Sequence, residues 1–186
     1  MRMRSFLIYF TSIMLMAAAS ISFIDGWNWV AHAALAPVTL AIIQADLRQY
    51  AIPVWLLVLA AILGCVFIYL DAYTLTANVG LAGEVLGQAV IEGAIVLAIA
   101  GCASIIYERI RGRAGIGRAD IYFFAIVGIW LPLSSFGVFL FAAALGALAA
   151  TILRQIRRRR PIQSATYVPF CAFQAATLWA MTLFVY

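Results

Sequence analysis

Residues 121–153 read IYFFAIVGIWLPLSSFGVFLFAAALGALAATIL, 33 positions without a charged side chain. As one helix they would extend about 50 Å at 1.5 Å per residue, well beyond the roughly 30 Å hydrocarbon core of a bilayer. Two crossings fit instead. The segment Leu131-Pro132-Leu133-Ser134-Ser135, near the middle, supplies the turn between them. The first of these two spans is short.

The same punctuation by charge divides the rest of the chain. Uncharged stretches cover residues 5–24, 27–45 and 53–70, and a further one begins after Arg160, giving a last span over 161–186. Another span, about 86–107, carries Glu92 inside it. Residues 71–85, DAYTLTANVGLAGEV, are mixed in character and read as a loop or interfacial segment. The sum is an all-α polytopic membrane bundle of about seven helices. Composition agrees: 67% of the 186 residues are hydrophobic and 10% are charged, where a soluble domain carries about 25% charge. Too little polar surface exists to cover so large an apolar volume, which excludes soluble enzymes, nucleic-acid binders and disordered chains.

All 12 basic residues are arginine. With the N-terminus in the cytoplasm, Arg2, Arg4, Arg48, Arg109, Arg111, Arg113, Arg118, Arg154 and the run Arg157, Arg158, Arg159, Arg160 all fall inside, as the positive-inside rule requires. Asp25, Asp71 and Glu84 fall outside. The run at 157–160 follows a span directly, so it is read as a topology signal attracted to anionic lipid, with no nucleic-acid role. Residues 1–25 form a first span or an uncleaved signal anchor, since Arg2 and Arg4 before an apolar run resemble an export signal.

Several chemistries lack their residues. Cys65, Cys102 and Cys171 are far apart and form no CxxC pair, so neither metal nor redox cofactor is expected, and small apolar filling is their expected role. His32 stands alone near the outer face and reads as structural or interfacial. Glu92 is expected to make a structural hydrogen bond inside the bundle.

Two acids do not fit the topology logic. Asp46 ends the second span and Asp120 opens the fifth, both on the arginine-rich cytoplasmic side. If bundle packing brings them together they cannot both ionise easily and would share a proton. One would then serve as general base toward water and the other as general acid toward the leaving amine. The alternatives at this point are an Asp46–Arg48 ion pair and a helix-capping role for Asp120.

Their surroundings carry a resemblance. Asp46 opens DLRQYAIP (46–53), and Asp120 closes GIGRAD (115–120). These resemble the two active-site motifs of the type IV prepilin peptidases, a family of GxGD-type intramembrane aspartic proteases. The first match rests on Asp46, Arg48, Ile52 and Pro53, and the second on Gly115, Gly117 and Asp120, with Arg118 in the same loop. The resemblance extends over about residues 30–183, through the Gly-x-Trp-Leu ending at Leu131 and a final helix opened by Pro169-Phe170. Ala119 stands where the family has glycine, Tyr122 where it has lysine and Val54 where it has asparagine. The four-cysteine region of the bifunctional members is absent from the sequence given, so methylation is not implied.

The resemblance implies a single membrane-embedded peptidase domain over 1–186, in the bacterial inner membrane, with its active site facing the cytoplasm. Asp46 and Asp120 would be catalytic, supported by Gly115, Gly117, Arg118, Ile52 and Pro53, with no metal and no cofactor. The substrate would be a prepilin-like membrane protein whose short basic leader is removed at the cytoplasmic face. The alternative is a diverged, non-catalytic membrane subunit of a pilus or secretion apparatus, suggested by Ala119 and Tyr122.

Overall fold

The structure is a computed structural model that describes residues 3–23, 28–49, 51–112, 115–158 and 168–185. These form α1 (Met3–Phe23), α2 (Asn28–Gln49), α3 (Val54–Thr76), α4 (Val79–Arg111), α5 (Arg118–Trp130), α6 (Phe136–Arg158) and α7 (Phe170–Val185). One 3₁₀ turn, Leu133–Ser135, joins α5 to α6. Arg2, Asp25, Trp27, Arg113, Arg159, Arg160 and Pro161, on which part of the topology and lipid expectations rest, lie outside the described residues. Three stretches are long and apolar enough to cross a bilayer: Val54–Thr76, Val79–Arg111 and Leu133–Arg157.

The break inside residues 121–153 falls where proline demands it. The Leu131 amide closes α5 on the Val127 carbonyl (2.8 Å), and Pro132 then caps the 3₁₀ turn. Proline cannot donate, and Leu133 begins a new turn with its amide free. Glu92 Oε2 accepts that amide at 3.0 Å, while Gln88 Nε2 donates to Oε1 at 3.1 Å. Glu92 thus makes the structural hydrogen bond expected of it, across from α4 to the head of α6.

Residues 71–85 depart from the reading as a loop. Helix α3 runs on to Thr76 and α4 begins at Val79, leaving only Ala77 and Asn78 between them. Ala77 adopts φ 50°, with its amide on the Tyr73 carbonyl, and the Asn78 side chain accepts from the amides of Gly80 and Leu81. A left-handed stop followed by an asparagine N-cap turns the chain in two residues. Polar residues at a span's outer end mark solvent contact, and here they do not mark the end of the helix.

Small residues set the packing. A Cβ on Gly128 would come within 2.8 Å of Gly93 Cα, and one on Gly93 within 2.7 Å of the Ala125 carbonyl oxygen. Helices α4 and α5 therefore meet backbone to backbone, as small residues allow in membranes. Trp130 is fully buried, stacks on Phe67 and donates from Nε1 to the Ala60 carbonyl (3.0 Å), in space left by Gly64. On α6, Val138, Phe141, Leu145, Leu148 and Ile152 form an exposed stripe at alternating spacings of three and four, the face a lipid would cover.

Helices α2 and α7 run antiparallel. Near one end His32, 0% exposed, bonds Ser20 Oγ of α1 through Nδ1 (2.7 Å) and Thr182 Oγ1 of α7 through Nε2 (2.6 Å). Its role is structural and buried, with no interfacial exposure. At the opposite end of the same pair lies Asp46.

Candidate active site

Asp46 sits one turn before the end of α2 and is 3% exposed. Its partner is the main chain: the Ala172 amide donates to Oδ2 at 2.8 Å. Arg48, two residues on, is exposed, and the acid does not draw on it. Asp120 is the third residue of α5, which Gly117 caps. The backbone amides of Gly117, its own helix cap, and of Cys171 favour its charged form.

Cys171 and Ala172 are consecutive residues in the first turn of α7, where amides have no carbonyl partner within their own helix. The Ala172 amide donates to Asp46, and the Cys171 amide favours the charged form of Asp120. The positive end of the helix dipole points at the pair and favours a negative charge there. Packing of α7 against both α2 and α5 makes this possible.

Both carboxyls lie just outside the uncharged spans. Burial raises Asp46, against a smaller opposing effect of the Ala172 amide. Burial, and then the negative charge of Asp46, push Asp120 up to about 6, with the amides of Gly117 and Cys171 opposing. The pair resists carrying two charges while the helix terminus stabilises one. Two carboxyls in this setting do not both ionise easily.

The supporting residues act mostly through close approach. A Cβ on Gly115 would lie 2.5 Å from the Tyr107 ring, and one on Gly117 2.9 Å from Asp120 Oδ2. Among the described residues only Gly112, which closes α4, and Ala77 have positive φ. Ala119 is helical and needs no left-handed conformation, so alanine there is unstrained. Tyr122 is 51% exposed. Arg118 opens α5 with an exposed side chain. Ile52 packs against the core, and Pro53 is the N-cap of α3, one position before the first turn, where its carbonyl accepts the Leu56 amide (3.0 Å).

The amides of Cys171 and Ala172 were invisible to a reading of side chains, which assigned Cys171 only an apolar filling role. The available signal was Pro169-Phe170, a helix start. Its free amides had to point somewhere.

Comparison with known proteins gives two matches. The model of the type IV leader peptidase family matches residues 33–152. A prepilin leader peptidase/N-methyltransferase of Neisseria gonorrhoeae is 29% identical over 75 residues, covering 38% of this chain and 26% of the relative. The matched segment thus spans about a quarter of that relative's length. No solved structure matches.

Proposed function

Because this chain belongs to the type IV leader peptidase family, we propose that it is a membrane aspartic endopeptidase that removes the short basic leader of prepilin-like precursors. The observation that supports this most is the convergence of Asp46 and Asp120 on consecutive amides of α7.

In the reaction, the ionised carboxylate takes a proton from water as the water oxygen attacks the scissile carbonyl carbon. The protonated partner gives its proton to the carbonyl oxygen. Collapse of the tetrahedral intermediate breaks the C–N bond, and the leaving nitrogen takes up a proton from the pair. Water is consumed, and an acid and an amine are formed. The site needs a carboxyl that keeps its proton well above the ordinary carboxylate range, and burial beside a second carboxylate pushes Asp120 up to about 6.

The precursor would place its apolar helix in the bilayer beside this bundle and its leader at the arginine-rich end, in the cytoplasm of a bacterial cell. Arg157 to Arg160 would hold that end against anionic lipid. The fit of Ala119 within α5 removes one of the two motives for a non-catalytic subunit.

Co-expression with a candidate precursor tests the reading. Wild type releases the leader, and Asp46→Ala and Asp120→Ala leave the precursor uncut. Release at the wild-type rate by either variant refutes the aspartate assignment.

A further inference from the structure

Gln174 is a polar side chain with no part in the interactions described so far. It is 0% exposed, and neither Oε1 nor Nε2 has a hydrogen-bond partner among the described residues. Buried carboxamides are nearly always satisfied, and an unsatisfied one is costly. Its position is equally particular. It follows Cys171 by three residues and Ala172 by two, so its Cα lies about 3–4.5 Å further along the α7 axis. Residues three apart share a helix face, and helical side chains lean back toward the N-terminus. Gln174 therefore shares a face of α7 with Cys171, one turn from the amides that act on Asp46 and Asp120.

We propose that Gln174 is a positioning residue that holds the attacking water against the aspartate pair. A carboxamide presents one acceptor and two donor hydrogens. It can take one hydrogen from a water through Oε1 and donate to the same or a neighbouring water through Nε2. The carboxylate base takes the other hydrogen, which leaves the oxygen lone pair for the substrate carbonyl. A buried water needs two to four polar partners, and Gln174 with the two carboxyls provides them. This account explains a buried polar group that packing alone would replace with leucine.

The inference rests on the peptidase reading, and its test separates the two. Cleavage of a purified prepilin-like precursor is measured with the full chain in lipid nanodiscs, comparing wild type, Asp46→Ala, Gln174→Leu and Gln174→Met. Gln174→Leu and Gln174→Met are expected to melt at or above the wild-type temperature, to keep KM within about twofold, and to lose at least about tenfold in kcat. Asp46→Ala is expected to be inactive. Wild-type kcat in Gln174→Leu, beside an inactive Asp46→Ala, overturns the Gln174 role and leaves the peptidase intact. Failure of both Gln174 variants to fold also overturns it, because it assigns the amide to water and gives it no part in the fold. An Asp46→Ala protein that still cleaves, or a wild type that does not, refutes the peptidase reading and the Gln174 role with it.

Discussion

Asp46 and Asp120 are far apart in sequence, yet adjacent amides of α7 serve both: the Ala172 amide donates to Asp46, and the Cys171 amide favours the charged form of Asp120. One helix terminus therefore faces both acids. It also lowers the cost of one negative charge between them.

The first consequence is for stability. Asp120 moves from an ordinary value of 3.8 up to about 6 on folding. A carboxyl raised in this way favours folding while it is protonated. Its contribution is complete below about 3.8 and is lost as pH rises through about 6. The melting temperature of the detergent-solubilised protein is expected to fall across that window. Asp120→Asn is expected to flatten the fall and to melt higher than wild type at pH 7.

Activity should follow the same carboxyl in the same direction. The reaction needs one proton on the pair, so kcat/KM is expected to decline above about 6, with a limiting slope of about tenfold per pH unit. A profile flat from pH 5 to 8 would exclude the shared-proton mechanism.

Gly117→Ala tests the positioning of Asp120. Its Cβ would lie 2.9 Å from Oδ2 and would push the carboxylate off the Cys171 amide. Displacements near 1 Å at a reacting group can cost about a hundredfold. A loss of roughly 10- to 100-fold in kcat is expected. The melting temperature should hardly change, since Gly117 is exposed. Steady-state kinetics beside a thermal melt would separate the two effects.

Glu92 serves as the control outside the site. Glu92→Leu leaves the Leu133 amide without its acceptor at the head of α6. A loss of about 1–3 kcal/mol is expected from an unsatisfied amide, read by denaturant unfolding in mixed micelles. Cleavage per folded molecule should be unchanged. A selective loss of kcat would move Glu92 into the catalytic machinery.

Gly128→Val addresses the scaffold. A side chain there meets Gly93 Cα at 2.8 Å and the Gly93 amide nitrogen at 3.1 Å, both backbone atoms that cannot step aside. Helices α4 and α5 would have to separate. A loss above about 3 kcal/mol is expected. Normal stability of this variant would contradict the close crossing.

Much of the fold was legible in the chain because charge and proline act locally. Pro132 ends α5 wherever it is placed, and an uncharged run of 33 residues is too long for a single crossing. Residues 71–85 were misread for the same local reason. Asp71 and Glu84 look like a span's edge, yet a helix continues unhindered through acids at its solvent end. Only the left-handed Ala77 and the capping Asn78 stop it.

The sequence by itself determined the helical class, the number of helices among the described residues and the oddness of two acids placed among arginines. These follow from transfer free energies that each residue carries with it. Tertiary structure alone decided that the first turn of α7 faces both acids, that His32 is buried between α1 and α7, and that Gln174 is buried without a hydrogen-bond partner among the described residues. Main-chain amides are the same in every sequence, so their role depends on which helix end the packing brings to which side chain.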